Sequence, residues 1–233
     1  MDGEYLVPQK LGQKIKKMEK TKDFIPALGY DWLTGFYDLT IKLTMPEKKF
    51  REKLIDELNP QNSEMILEFG FGTGQNIILA HQRNDKAKLI GVDIDPKVRK
   101  IAEYKIKKLG LDITLDLYDG KTFQYSDNSF DKVFSSLVFH QLDEETKLSC
   151  LKEIYRVLKP NGQLTIGDWG QAKSKTMRVA FYAVQILDGF KTTSDNVNGL
   201  LPQFIEQAGF KNIAETYFIN TKIGTYSYYK ATK

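Results

Sequence analysis

Cysteine occurs once in the 233 residues, at Cys150, and histidine twice, at His81 and His140. A single thiol excludes an internal disulfide and a cysteine-built zinc cluster, and two histidines leave too few ligands for a metal cage, so no metal is expected. No window holds the roughly 18 or more apolar residues that cross a bilayer. The stretch Met1 to Lys10 has no apolar core behind a basic start, so no secretory leader is expected there. Internal repeats and low-complexity tracts are missing. Charge of one sign is scarce as well: 34 Lys+Arg against 30 Asp+Glu give +4, which permits an anionic partner without demanding nucleic acid. These absences lead to the expectation of a cytoplasmic, metal-free protein. What is present suits a packed core. Hydrophobic residues make up 41% and aromatics 12%, enough at this length to bury most of the apolar surface in one α/β domain.

The segment before Asn62 differs from the rest. Between residues 9 and 22 lysines crowd at 10, 14, 16, 17, 20 and 22, while Leu11, Ile15 and Met18 fall on one helical face. That pattern fits a solvated helix packed by a thin stripe, a lid over a site, or a patch on an anionic surface. An aromatic stretch, Gly29-Tyr-Asp-Trp-Leu-Thr-Gly-Phe-Tyr-Asp38, follows, and a helix is expected from Pro46 to Leu58. From Met65 onward, short apolar runs alternate with helical periodicities. Strands are expected at 65–69, 87–93, 112–118, 130–137 and 162–168, and helices at 75–84, from Pro96 with Val98, Ile101, Ala102, Ile106 and Leu109 inward, and at 144–158. Such alternation implies right-handed crossovers and a parallel sheet covered on both faces. At the end, 212–220 and 225–232 read as strands joined by a link too short for a parallel crossover, so they should be antiparallel neighbours.

The sharpest local signal is Ile66-Leu-Glu-Phe-Gly-Phe-Gly-Thr-Gly74. A strand runs into Gly70, Gly72 and Gly74, and a helix follows. Glycines let the backbone turn tightly and approach a ligand, and the helix start offers free N–H groups. A dinucleotide fingerprint would place its third glycine at position 75, which is Gln75. No Lys-Ser/Thr pair follows, so this is not a phosphate loop. The second signal is Gly91-Val-Asp-Ile-Asp-Pro96, where Asp93 ends a strand about twenty residues on and can accept ribose hydroxyls. Asp95 precedes Pro96 and reads as a helix N-cap. Leu117-Tyr-Asp-Gly120, Asn128 to Leu137 and Arg156-Val-Leu-Lys-Pro-Asn-Gly162 complete the set.

In this order and at these intervals, the motifs between Met65 and Asp168 resemble the class I methyltransferases dependent on S-adenosylmethionine (SAM), and most closely the ubiquinone/menaquinone-biosynthesis and other small-molecule members. The resemblance implies a Rossmann-like three-layer α/β/α sandwich. Its seven-stranded sheet would be mostly parallel, with the last strand antiparallel and inserted between strands five and six. It further implies that Glu68 sits near the methionine amino group of SAM, that Gly70, Gly72 and Gly74 line the methionine portion, and that Asp93, with Ile94 beside it, holds the ribose. Asp119 and Gly120 would lie by the adenine, and Ser135, Ser136 and Leu137 would close the pocket beside the sulfonium. Phe71 stands where the family often has cysteine, a swap the site should tolerate because backbone does the binding. SAM is a sulfonium cation with a zwitterionic tail, so strand-end carboxylates suit it. Asp119 could instead cap its own turn. His140 is either a base near the acceptor or part of the cap of the next helix. Tyr30 and Tyr37 either cover the cofactor or anchor the segment, and Trp169 either lines the acceptor pocket or packs the inserted residues.

The resemblance also organises the chain. Residues 1–61 would form an N-terminal helical lid segment. Residues 62–233 would form the methyltransferase domain, with an insertion at about 171–199 that shapes the acceptor pocket. Strand four lacks the N/D-P-P-Y/F motif of amide and exocyclic-amine methylation. The apolar content of the insertion suggests an aromatic or lipidic small molecule. A protein or RNA substrate, or a SAM-binding domain without catalysis, are the alternatives. The other expectations are S-adenosylhomocysteine as product, a monomer or homodimer, no nucleic-acid partner, and membrane contact, if any, through the basic N-terminal helix.

Overall fold

The computed structural model describes residues 46–233. The basic helix read at 9–22, and Tyr30 and Tyr37 with it, lie outside the described residues. Helix α1 spans Glu47–Leu58, with Pro46 at its N-cap rather than in its first turn. Its Phe50, Leu54, Ile55 and Leu58 are buried, and Tyr228 donates its hydroxyl hydrogen to the Phe50 carbonyl at 2.8 Å. Helix α1 therefore packs against the sheet.

Beyond it come β1 (Met65–Phe69), α2 (Gln75–Arg83), β2 (Lys88–Asp93), α3 (Pro96–Leu109), β3 (Thr114–Leu117), β4 (Phe130–Ser136), α4 (Glu144–Val157) and β5 (Leu158–Trp169). Three short helices follow, α5 (Lys175–Ala180), α6 (Tyr182–Asp188) and α7 (Phe190–Val197), and then α8 (Leu201–Gln207), β6 (Lys211–Asn220) and β7 (Thr225–Thr232). The seven strands form one sheet in the order β3-β2-β1-β4-β5-β7-β6. Strands β1 to β5 pair in parallel, and β7 runs antiparallel to β5 and β6. The expected sheet is present, including the inserted last strand.

Alternation along β1 builds the two cores. Ile66 joins the cluster under α1, α2 and α3, while Leu67 and Phe69 join the cluster under α4 and α8. Two expectations need correction. In α3 the inward stripe is narrower than the periodicity suggested: Ala102 and Ile106 are buried, but Ile101 and Leu109 are 43% and 52% exposed. Helix α3 covers the β3 edge of the sheet, where there is less apolar surface to bury. The fifth strand, expected from 162, begins at Leu158, and Pro160-Asn161-Gly162 lies within it as a bulge. Pairing jumps from Phe130–Leu158 to Lys132–Gln163, and Asn161 takes φ 62°.

The link from β3 to β4 has no helix. Arg156 of α4 stitches it instead, donating to the carbonyls of Phe123 and Tyr125 at 3.1 and 2.9 Å and to Asp127 at 2.7 Å. The insertion is fastened by a buried ion pair. Lys147 of α4 donates to Asp195 of α7 at 2.7 Å and to the Thr192 carbonyl at 2.9 Å. Among the described residues no helix is long and apolar enough to cross a membrane.

Candidate functional site

The carboxyl ends of β1, β2 and β4 meet at the glycine loop. Gly70, Gly72 and Gly74 take φ values of +73°, +51° and +81°, which side chains resist. The Gly70 N–H continues the sheet by donating to the Val92 carbonyl at 2.8 Å, and a Cβ there would collide with Cγ2 of Val138. Gly74 is the N-cap of α2, and its N–H closes the loop on the Phe71 carbonyl at 2.9 Å. Gly72 differs: among the described residues a Cβ there would meet nothing within 4 Å. The loop thus presents bare backbone to an open side. Phe71 turns the other way, into the core with Ile77, Ala102 and Leu115.

Glu68, the fourth residue of β1, has no solvent exposure. Its Oε1 accepts from Asn76 Nδ2 at 3.1 Å. Arg51 of α1 fixes that amide by donating to Asn76 Oδ1 at 2.7 Å. Glu68 Oε2 is buried with no hydrogen-bond partner among the described residues. Burial pushes the Glu68 carboxyl up to about 8, against the opposing pull of the Asn76 hydrogen bond and the Arg51 charge. A cation brought to Oε2 would satisfy that atom and return the group to its ionised form.

Asp93 ends β2 with both oxygens engaged by backbone. Oδ2 accepts the Gly72 N–H at 2.8 Å, and Oδ1 accepts the Asp95 N–H at 3.0 Å. Each carboxylate oxygen keeps lone-pair capacity for a further donor. Burial raises the Asp93 carboxyl, with the amides of Asp95 and Gly72 pulling the other way. Asp95 caps α3 through the Lys97 N–H at 2.7 Å, as its place before Pro96 indicated. Asp119 is exposed and bends into its own turn, accepting from Lys121 and Thr122 at 2.8 and 3.0 Å. Those two amides, Thr122 foremost, hold its carboxyl below the usual range. Its side chain does the capping work that was the alternative to adenine contact. Gly120 lies against Ile94: a Cβ on it would sit 3.0 Å from Ile94 Cδ1.

The end of β4 supplies the third wall. Ser135 donates to the Phe69 carbonyl at 2.8 Å, and Ser136 Oγ lies 2.8 Å from Tyr226 Oη. Leu137 takes φ 56°, a strained conformation for its residue type, with its N–H held by the Gly167 carbonyl at 3.0 Å. The chain then turns at 139–141 and buries His140. His140 Nδ1 is 2.7 Å from Asp168 Oδ1. Asp168 also accepts the backbone N–H groups of Trp169 at 2.7 Å and His140 at 3.3 Å. Trp169 meets the Phe181 ring edge-on at 5.4 Å and lies 6.5 Å from the His140 ring. Asn196 of α7 donates Nδ2–H to the Trp169 carbonyl at 3.1 Å. Trp169 therefore packs the inserted helices and borders His140 at once. In the insertion, Phe181 and Val184 turn inward, while Val179, Tyr182 and Ile186 are exposed.

These residues fit a sulfonium nucleoside with an amino-acid tail. They offer a buried carboxylate oxygen with no partner among the described residues, a second carboxylate at a strand end and open backbone over Gly72, while Lys105 Nζ donates to the Thr73 carbonyl of the loop at 3.0 Å. No group of three or more potential metal ligands occurs among the described residues. Sequence reasoning missed Arg51, Asn76, Asp168 and Asn196. Asp168 carries the signal already used for Asp93, a carboxylate at a strand end. The other three carry none.

Residues 66–162 match a family model described as a methyltransferase domain. A demethylmenaquinone methyltransferase of Bacteroides fragilis is 33% identical over 160 residues, covering 66% of this chain and 61% of that protein. The chain thus spans less than two thirds of that relative's length. Among solved structures, a SAM-dependent methyltransferase from Aquifex aeolicus superposes with a TM-score of 0.57 at 22% identity, covering 82% of this chain and 95% of its own. Phosphoethanolamine N-methyltransferase 2 of Haemonchus contortus, in complex with SAM, gives 0.61 at 15% identity, covering 78% and 52%. At such identities the two structures speak to the fold.

Proposed function

We propose that this chain, which belongs to the class I SAM-dependent methyltransferases, transfers a methyl group from SAM to a small-molecule acceptor. The observation that carries this reading is the buried Oε2 of Glu68, which has no partner among the described residues, set beside a glycine loop whose Gly72 has none of those residues over its open side. When bound, SAM supplies a methyl group made electrophilic by its sulfonium charge.

The protein's part is binding, alignment and exclusion of water. Glu68 holds the ammonium group, fixed in direction by Asn76 and Arg51. Asp93 accepts ribose hydroxyls on lone pairs left over from its two amide contacts. Ile94 and Gly120 flank the adenine, with Asp119 shaping the Gly120 turn. Ser136 and Leu137 close the reacting end next to the loop. The acceptor lies under the insertion, where Trp169, Phe181, Val184, Val197 and Tyr226 make an apolar and largely aromatic surface. That surface favours an aromatic or lipidic small molecule, as does the relationship to a demethylmenaquinone methyltransferase.

Thermal unfolding with added ligand tests the cofactor. SAM and S-adenosylhomocysteine should each raise the melting temperature, with about 2.7 kcal/mol of stabilisation at a hundredfold excess over Kd. Stabilisation by NAD and by neither of these ligands would sink the reading.

A further inference from the structure

We propose that the outer face of helix α3 is a docking surface for an anionic phospholipid bilayer. The inference goes beyond the methyl-transfer reading and stands without it.

Three observations carry it. First, α3 concentrates positive charge. Within Pro96–Leu109 stand five lysines and Arg99 against one acid, Glu103. Six against one is a surplus of five, more than the +4 of the whole chain. The acid is itself spent, because Glu103 accepts from Arg99 at 2.7 Å within the helix. Lys105 turns back to the protein and donates to the Thr73 carbonyl. Lys100, Lys107 and Lys108 are exposed and make no ion pair among the described residues. Second, apolar side chains share that face. Ala102 and Ile106 are the buried residues of α3, and Tyr104, two positions from each, lies on the opposite side of a helix of about 3.6 residues per turn. Lys100 and Lys108 flank it four positions away, and Ile101 and Lys107 three positions away. Tyr104 is 68% exposed, and Ile101 and Leu109, which the periodicity placed inward, are exposed too. Third, the face is rigid. Asp95 caps one end of the helix through the Lys97 N–H, and Gly110 closes the other at φ 64°.

A face made only for water has no use for Ile101 and Tyr104, and the core of a protein interface is depleted of lysine. The surface of an anionic bilayer uses both. Lysine stems lie along apolar neighbours while their ammonium groups reach lipid phosphates, and tyrosine suits the boundary between headgroups and acyl chains. Each lysine held near an anionic leaflet strengthens binding about fivefold. Nucleic acid is the competing polyanion. Its phosphates would leave Ile101 and Leu109 nothing apolar to meet, and the one arginine of the helix, the residue best shaped to grip phosphate, is engaged by Glu103. Helix α3 begins three residues after Asp93, so docking brings that end of β2 to the membrane surface, where a lipidic molecule is found.

The test is cosedimentation of the full chain with vesicles. Phosphatidylcholine with about 30% phosphatidylglycerol presents the anionic surface, and phosphatidylcholine alone is the control. Binding should be at least tenfold tighter to the anionic vesicles and should weaken as salt is added. Lys100→Gln, Lys107→Gln and Lys108→Gln together should weaken it at least tenfold, with a melting temperature matching the wild type. Tyr104→Ser should weaken it at least threefold with every lysine in place, which a purely electrostatic contact would not show. Insertion is read from Tyr104→Trp: brominated lipid should quench its added fluorescence beyond that of the wild type, which carries Trp32 and Trp169. The other basic stretch, residues 10–22, is separated by Lys14→Gln, Lys16→Gln and Lys17→Gln, which should leave most of the anionic binding in place. Equal binding to both kinds of vesicle, a loss confined to that N-terminal variant, or no added quenching in Tyr104→Trp would each overturn the proposal. An RNA duplex bound more tightly than the anionic vesicles through the same three α3 lysines would overturn it as well.

Discussion

Asn76, in the first turn of α2, donates its amide hydrogen to Glu68 at 3.1 Å across the glycine loop, and Arg51 grips the other end of the same amide at 2.7 Å. This pins one carboxylate oxygen and leaves the other, Oε2, buried without a partner among the described residues. Such an arrangement costs stability in the empty protein and recovers it when a cation binds, so Glu68 should trade stability against affinity.

That trade sets a pH dependence. Folding raises the Glu68 carboxyl from 4.5 to about 8. Between those values the folded chain keeps a proton that the unfolded chain has lost. This group's contribution is therefore most favourable at low pH and falls as pH rises through the window, by at most about 1.4 kcal/mol per pH unit. Glu68→Gln should flatten the slope and stabilise the ligand-free protein at neutral pH, while weakening SAM at least tenfold. SAM binding to the wild type should release a proton in the same window. Urea melts across the pH range, and calorimetry in buffers of differing ionisation enthalpy, measure both. A Gln variant that is less stable at neutral pH and binds SAM normally contradicts the assignment.

Asp93→Ala should weaken SAM by about 1–3 kcal/mol, because it strands the Gly72 and Asp95 amides as well as the ribose hydroxyls. Asp95→Ala should cost about 1 kcal/mol of stability through the lost α3 cap and leave affinity nearly unchanged. Isothermal titration and thermal melts on both variants separate the roles. The reverse outcome would give the ribose to Asp95.

The glycines should also separate. Gly70→Ala puts a Cβ into Val138 and should destabilise the fold, and Val138→Ala in the same chain should recover part of the loss. At Gly72 an added Cβ meets no atom of the described residues within 4 Å, so the cost of Gly72→Val to the fold should come from its φ of +51°, on the order of 1 kcal/mol. Its effect should fall on SAM binding, which it should abolish. Normal SAM affinity in Gly72→Val would show that the ligand does not cross that open side.

Lys147→Met should cost about 3–5 kcal/mol, since Asp195 would stay buried without its partner. Lys147→Met with Asp195→Leu should recover most of that stability. Denaturant midpoints for the single and double variants give the coupling directly. Purely additive losses would mean that the pair does not anchor the insertion.

Part of this was legible from residue order. The strand-to-glycine transition at Phe69–Gly70, the carboxylate ending β2 and the short link at 221–224 each announce local geometry, because backbone freedom and strand length act over a few residues. The antiparallel β7 followed from link length alone. The burial of α1 was not legible: Phe50 and Leu58 give no sign of whether their stripe faces the sheet or a movable cover. The α3 stripe read too wide for a related reason, since helical period shows which residues share a face and not how much apolar surface waits opposite.

Residue order alone settles the alternation of elements, the loop at Gly70–Gly74 and the strand-end placement of Glu68 and Asp93, because hydrophobic period, glycine content and capping are properties of neighbouring residues. Folding in three dimensions brings Arg51 to Asn76 over 25 positions, His140 to Asp168 over 28 and Lys147 to Asp195 over 48. Such pairs are chosen by sheet order and helix docking, which bring strand ends together whatever their separation along the chain. Burial selects the polar partners found there: once a side chain is shut off from water an unmade hydrogen bond is costly, so most such groups pair with a nearby donor or acceptor.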